Sequence, residues 1–396
     1  MVNDVVVRKQ NKKISIGLYI NYFIHGIALI ILAQNMTSLS ENWATNIATV
    51  SFVISGVGIG RLIFYPISGF LSDHFARKSF VYLGMFSYLI FAIGMAFTKE
   101  IWTAYVFAIF AGCANSLLDS GTYTTLVEMH DGEGQGTVLL KAFMSAGEFI
   151  LPIIVSFLFV NHFWYGWSFI LMAFLLILNS IYLFPLKFPQ QSFRSRSKSV
   201  TNQFSFSGKK VIMTIFLLFY GYTSMALMIL FTQWITLYAQ NYLNMSDLSA
   251  HFLLSLYSIG SIMGVIVLYF LLKIKISEIN LMFLLNLLAV LSLTTIMFGN
   301  NNFFIKVACL LFGFAAAGGV MQTGLTFFMK LYPTRRGTIT GSFYFFGSLA
   351  SFSVPIITGF LAKTSVVKAF SLDLGIGIIG LIIVIVLLLC SRKEFK

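Results

Sequence analysis

Charge is what this sequence has least of. Only 10% of its 396 residues are Asp, Glu, Lys or Arg, against about 25% in a soluble domain, whose water-facing surface depends on them. That scarcity excludes an ordinary water-soluble fold. Cysteine is also rare: Cys113, Cys309 and Cys390 each fall inside an apolar run, which suggests neither a disulfide framework nor a metal site. A nucleotide-binding loop is missing as well. DGEGQG at 131–136 is glycine-rich, but no G-K-[ST] follows it and no strand precedes it, so it reads as a turn between two spans. With no ATPase segment in the sequence, any work must be driven by gradients. The chain is expected to be neither an enzyme nor the holder of a cofactor or metal.

What is abundant is apolar sequence. Hydrophobic residues make up 58% of the chain, 43 residues are Phe, and the mean hydropathy is +0.89. Twelve apolar runs recur, roughly at 14–34, 48–72, 79–97, 101–126, 138–160, 165–185, 211–236, 250–272, 277–298, 303–329, 338–361 and 367–390. Each can cross a hydrocarbon core of about 30 Å as a helix. Several are Gly- or Phe-rich without strand-like alternation, which favours helices over a barrel. The expected class is an all-α integral membrane protein with twelve transmembrane helices. The first run is longer than a signal-peptide core and no small-residue cleavage site follows it, so it is expected to stay in the mature chain.

The net charge of +13 reflects topology rather than nucleic-acid binding. With an even number of spans both termini lie on one side. That side holds 20 of the 26 basic residues, while Lys99, Lys306, Lys363 and Lys368 lie opposite. Such asymmetry places both termini in the cytoplasm.

The longest polar stretch, LKFPQQSFRSRSKSVTNQFSFSGKK at 186–210, separates six spans from six. We therefore expect a half at 1–185, a cytoplasmic linker at 186–210 and a second half at 211–396. Self-similarity supports the division. FILPIIVSFL at 149–158 recurs as FSVPIITGFL at 352–361, LLDSGT at 117–122 falls on VMQTGL at 320–325, and Gly56 and Gly60 pair with Gly260 and Gly264. Duplicated halves of one topology place a site between them near the midplane, with the halves rocking around it. The halves differ in charge: Arg61 falls opposite Val265, Asp119 opposite Gln322, Lys141 opposite Tyr344 and Glu148 opposite Ser351. A scaffolding requirement would put similar charges in both halves, so the difference points to function.

GFLSDHFARK at 69–78 resembles the loop G-x-L-x-D-R-x-G-R-[RK] between helices 2 and 3 of the major facilitator superfamily, with His74 and Ala76 departing from the pattern. The resemblance implies two six-helix halves of the major facilitator fold, in the inner membrane of a bacterial cell. It also implies a gating role for Gly69, Asp73, Arg77 and Lys78, the loop latching the inward side while the carrier faces out. Positive-inside bias alone is the plainer account of Arg77 and Lys78, whose charges would face lipid phosphates. NYFIHG (21–26), GIGRL (58–62), ANSLLDSGTYTTLVE (114–128) and KAFMSAGEFILP (141–152) look like a little-characterised bacterial branch of the superfamily, some members of which are linked with quinate or shikimate metabolism.

Arg61 stands twelve residues before Asp73, roughly 18 Å along a helix and so near the midplane. A central Arg costs roughly 2.5–3.5 kcal/mol on insertion scales and needs a partner. Its planar fork suits a carboxylate; the plainer alternative is a structural ion pair with Asp119 or Glu148. Asn115 shares a helix face with Asp119, which is placed to pair with Lys141. Glu148, two turns beyond Lys141, is the favoured proton carrier and Asp119 the other candidate. His25, with Asn21 one turn before it, is a relay candidate or a bonded core residue. Gln233, Trp234, Gln322 and Tyr344 are neutral counterparts in the second half, suited to substrate hydroxyls or to bonding between helices.

The reading is proton-coupled symport of a small hydroxylated carboxylate by a monomeric carrier in the bilayer. Arg61 would take the carboxylate, with Asn115 and Gln322 on the hydroxyls. The alternative is a proton-driven exporter of drugs or metabolites, disfavoured because span 5 lacks the G-P-x-x-G pattern of the family's antiporters: Gly147 and Pro152 are apart.

Overall fold

Inside a bilayer no water satisfies backbone amides, so each apolar run must bond within itself as a helix. The computed structural model, which describes residues 2–72, 76–129, 135–189, 208–274, 276–332 and 336–391, follows that rule: every element among the described residues is helical. The first half comprises α1 (Val2–Gln34), a short α2 (Met36–Asn42), α3 (Ile47–Ser72), α4 (Arg77–Phe97), α5 (Ile101–Met129), α6 (Gln135–Val160) and α7 (Gly166–Leu183). The second comprises α8 (Gly208–Asn241), α9 (Asp247–Lys273), α10 (Glu278–Phe298), α11 (Asn302–Phe312), α12 (Met321–Leu331), α13 (Arg336–Ala362) and α14 (Val366–Ser391). Twelve stretches among them are long and apolar enough to cross a membrane, and they coincide with the twelve runs read from the sequence.

The tenth span departs from the expectation of one regular helix. Between α11 and α12 the stretch Gly313–Val320, GFAAAGGV, is π-helical. Its small side chains allow close approach, and a Cβ on Gly264 of α9 would strike the Phe314 carbonyl of this stretch. The counterpart in the first half is Gly60 of α3, closed against the Ile109 carbonyl of α5. The sequence repeat is thus a repeat of helix contacts.

The halves meet along α3 with α13 and α6 with α9. Ser51 Oγ donates to the Pro355 carbonyl at 2.5 Å. Its repeat counterpart, Ser255, donates to the Phe149 carbonyl at 2.9 Å. Farther from the linker, Gln34 Nε2 donates to Thr236 Oγ1 at 3.1 Å and Gln34 Oε1 lies 2.7 Å from His251 Nδ1. Among the described residues, every hydrogen bond between halves lies level with Arg61 or farther from the linker. Hydrogen bonds between the halves thus gather at that end; on the linker side the described residues meet across the halves through the Tyr65–Tyr344 ring stack.

Candidate functional site

Between the halves lies a cavity of about 740 Å³. Its two walls differ as the repeat anticipates. The first half contributes Tyr22, His25, Arg61, Tyr65, Asp119, Lys141 and Glu148; the second contributes mainly Met225, Met228, Met321, Leu325 and Met329, with Thr232, Tyr257, Gln322, Thr340 and Tyr344 as its polar groups. Seven of the residues singled out in the sequence therefore line one space: Arg61, Asp119, Lys141, Glu148, His25, Gln322 and Tyr344.

Arg61 is buried at 8% exposure. Nη1 donates to Ser351 Oγ of α13 at 3.0 Å. With the Asn115 amide turned so that both its ends are satisfied, Asn115 Oδ1 accepts from Arg61 Nε at 2.8 Å and Nη2 at 2.7 Å, while its nitrogen faces Tyr88 Oη. The Tyr88 hydroxyl also lies 2.8 Å from His25 Nδ1. No ion pair joins Arg61 to Asp119 or Glu148 among the described residues, so the structural pair considered above is not formed. The guanidinium is oriented by neutral oxygens, and its charge faces the cavity without a protein anion on it.

Asp119 is not paired with Lys141 either. Its two carboxylate oxygens accept from Tyr22 Oη at 2.5 Å and Tyr65 Oη at 2.6 Å. Tyr65 in turn stacks on Tyr344 across the halves, centroids 6.3 Å apart. Neither Tyr22 nor Tyr65 stood out in the sequence. Tyr65 is one turn after Arg61 and Tyr22 is three residues before His25, spacings that share a helix face with residues already chosen.

Glu148 is 5% exposed and its Oε2 has no hydrogen-bond partner among the described residues. Gln322 Oε1 is likewise buried and unpartnered.

Four sequence candidates do not reach the cavity wall. Asn21 accepts from Asn179 Nδ2 at 2.6 Å, joining α1 to α7 within the first half. Asn115 lies behind Arg61, fully buried. Gln233 donates to Ser51 Oγ at 2.6 Å in the seal between halves. Trp234 is wholly enclosed in the core of the second half. All four are buried against neighbouring helices instead.

Of the loop residues, Asp73 and the surroundings of Gly69 lie outside the described residues, and Arg77 opens α4 as a buried side chain. Lys78, expected to face lipid phosphates, instead donates to the carbonyls of Phe184 at 2.7 Å and Leu186 at 3.0 Å. Carbonyls past a helix C-terminus lack partners of their own, and an ammonium there satisfies them. The contact ties α4 to the end of α7 within one half. Cys113 and Cys309 are free and buried, Cys390 free and part-buried, and no metal-holding cluster occurs among the described residues.

The family model for the Major Facilitator Superfamily matches residues 18–355. The chain belongs to that superfamily. This facilitator is 37% identical over 385 residues to the inner membrane transport protein YdiM of Escherichia coli (strain K12), covering 96% of this chain and 95% of that one. It is 36% identical to the uncharacterized MFS-type transporter YfkL of Bacillus subtilis (strain 168), covering 93% and 94%. Among solved structures, a D-xylose–proton symporter superimposes on the facilitator with a TM-score of 0.78 at 14% identity, over 94% of this chain and 96% of that one; at such identity the likeness speaks for the fold. The facilitator is a multi-pass membrane transporter of small molecules.

Proposed function

We propose that this transporter imports a small hydroxylated carboxylate, quinate- or shikimate-like, together with a proton by alternating access. The observation that carries the reading is the Arg61 guanidinium: midway through the bundle, on the cavity wall, fixed by Asn115 and Ser351, and with no carboxylate paired to it. A buried cation with no carboxylate hydrogen-bonded to it is costly, and an anionic solute entering the cavity offsets that cost through charge-assisted hydrogen bonds. Gln322, with an unpartnered oxygen, and Tyr344 are placed to meet hydroxyls. The methionine wall accommodates the carbon ring of such a solute, since Met packs adaptably against irregular apolar shapes. Asn115 acts on the substrate through Arg61.

Glu148 is the proton carrier in this scheme, and the tyrosine-clamped Asp119 orders the wall between α1, α3 and α5. With the hydrogen bonds between halves gathered on the side away from the linker and both termini, this state is taken as the one that faces the cytoplasm. The six-helix halves move as bodies, with α3–α13 and α6–α9 as the sliding contacts. Gly69, Asp73, Arg77 and Lys78 hold the opposite seal when the carrier faces out.

The methionine-rich wall also favours the second reading, proton-driven export of apolar compounds. Uptake of labelled shikimate and quinate into proteoliposomes under an imposed pH gradient decides between them. Gradient-dependent accumulation abolished by Arg61→Ala supports import. Accumulation unchanged by that substitution removes Arg61 from the mechanism. No uptake, with resistance to apolar toxins on overexpression, favours export.

A further inference from the structure

Two neighbouring rungs join α3 to α5 on the first-half wall of the cavity. On one, Arg61 of α3 bonds Asn115 of α5. On the next, Tyr65 of α3 donates to Asp119 of α5 at 2.6 Å. Tyr65 follows Arg61 by four residues and Asp119 follows Asn115 by four, so the rungs stand one helical turn apart, about 6 Å. Arg61, Tyr65 and Asp119 all line the cavity.

The rungs have opposite hydrogen-bonding character. A guanidinium has donors only, and Arg61 keeps N–H groups beyond those spent on Asn115 and Ser351. The Asp119 rung is the reverse. The hydrogens of Tyr22 and Tyr65 are committed to its carboxylate, one to each oxygen, at 2.5 and 2.6 Å. Those lengths fall in the range of about 2.5–2.7 Å for a hydroxyl on an ionised carboxylate. Each Asp119 oxygen keeps a second lone pair. Asp119 and Tyr65 are both part-exposed while lining the cavity. The wall therefore offers acceptors at this level and calls for donors from whatever fills the space.

Position selects the kind of donor. An ammonium group would bring a second cation to within one turn of Arg61, and like charges repel strongly where the dielectric is low. A hydroxyl donates without adding charge. The carboxylate of Asp119 also turns a solute's own carboxylate away, toward Arg61, so the two rungs together fix which end of the solute goes where. Their spacing is comparable with the span from a ring carboxylate to the hydroxyls on the far side of a six-membered ring.

We propose that Asp119, held by Tyr22 and Tyr65, is a hydroxyl-binding subsite that selects hydroxylated ring carboxylates over plain ones. The two tyrosines are positioning residues; the contact with the solute is made by the remaining lone pairs of the carboxylate. This deepens the substrate reading above and rests on its assignment of Arg61 to the solute's carboxylate.

Three probes test it by calorimetry on the full-length protein in lipid nanodiscs: shikimate, its hydroxyl-free parent cyclohex-1-ene-1-carboxylate, and myo-inositol, a polyol without a carboxylate. In wild type, shikimate should bind roughly 10- to 150-fold tighter than the parent, the range for a hydrogen bond to a charged group. Neutralising Asp119 alters the attraction for both carboxylates alike, so the readout is the ratio of their affinities. Asp119→Asn should lower that ratio by about tenfold or more and weaken inositol as well. If the asparagine variant fails to fold, Asp119→Glu, which carries the carboxylate one carbon farther, should also shift the ratio. Equal affinities for shikimate and its parent in wild type, or a ratio left unchanged by these variants, overturns the proposal, as does a wild type that binds no hydroxylated probe. Inositol binding that depends on Asp119, with neither carboxylate bound, would instead refute the substrate reading alone.

Discussion

Arg61 donates across the halves to Ser351, and Ser351 is the repeat counterpart of Glu148. At the twin contact, where α9 meets α6, the position corresponding to Arg61 is Val265. Glu148 therefore faces a helix that offers no guanidinium, and its Oε2 stays unpartnered. The two seams correspond in the repeat, but one carries a guanidinium bonded to neutral oxygens and the other a buried acid with one oxygen unpartnered.

The first prediction concerns the seam that Arg61 holds. Ser351→Ala removes a hydrogen bond between helices within the membrane, worth about 0.6 kcal/mol on average and up to about 1.7. The bond forms in the state described here, so its loss should favour the opposite state by roughly 3- to 18-fold. Distances between spin labels on α2 and the start of α9 should lengthen in the variant. Shikimate affinity should change little, because Asn115 still orients the guanidinium.

Arg61→Lys tests geometry against charge. A lysine keeps the positive charge but cannot reproduce two N–H bonds to Asn115 and a third to Ser351. Charge-assisted hydrogen bonds contribute about 1.5–3 kcal/mol, so binding should weaken roughly 10- to 150-fold. Calorimetry with shikimate measures it. Equal affinity in wild type and Arg61→Lys would show that charge alone recruits the ligand.

For Glu148 the prediction is a split between coupling and exchange. Glu148→Gln imitates the protonated side chain and cannot release a proton. Accumulation driven by acid outside should fall to background, while substrate counterflow at equal pH persists. Counterflow in wild type should slow when pH is high enough to strip the carboxyl, and the glutamine variant should lose that slope. Gradient-driven accumulation surviving in Glu148→Gln would transfer the role to Asp119.

How much of this was legible beforehand depends on which physical constraint wrote it. The twelve spans follow from bilayer thickness, a constraint on composition over about 20 residues, and they came out at nearly their observed ends. Arg61, Asp119 and Glu148 stood out because charge in an apolar run is costly. The choice between Asn21 and Tyr22 was less accessible. Both lie about one turn before His25, and a 100° step around α1 decides that Tyr22 meets Asp119 while Asn21 meets Asn179. Helical periodicity marks a face, not the neighbour that covers it. Gln233 was misplaced for the same reason: its helix faces the other half, but at a level where α3 closes on it.

The tyrosine clamp predicts a non-additive stability pattern. Tyr22→Phe and Tyr65→Phe each leave one Asp119 oxygen without its donor, at a cost of about 1–3 kcal/mol. Asp119→Asn keeps an acceptor for one hydroxyl and presents N–H donors to the other. Combining Asp119→Leu with both phenylalanines removes every member of the group. Because the three residues share partners, the loss should be smaller than the sum of the singles. Thermal unfolding monitored by intrinsic tryptophan fluorescence checks this, and a strictly additive set would mean that Asp119 is held by something other than the two phenols.

The last prediction uses backbone contact to trap a state. At Gly58 a Cβ would strike the main chain of Ser351 and Phe352 in α13, the helix of the other half. Backbone on both sides cannot rotate away as a side-chain tip can, so close approach of the halves requires glycine here. The same Cβ at Gly375 in α14 has nothing within 4 Å and serves as a control for helix propensity and membrane insertion. Gly58→Val should therefore wedge the sealed end open and depopulate the cavity that faces the linker, whereas Gly375→Val should not. Alkylation of a single cysteine introduced at Ser51, in a background where Cys113, Cys309 and Cys390 are replaced, reads the seal directly. Ser51 is 0% exposed and bonded to Pro355, so its reaction with a membrane-impermeant maleimide should be slow in wild type, fast with Gly58→Val and slow with Gly375→Val. Equal rates in all three would mean that the α3–α13 seam does not open during the cycle, and the halves would then have to move about the α6–α9 seam alone.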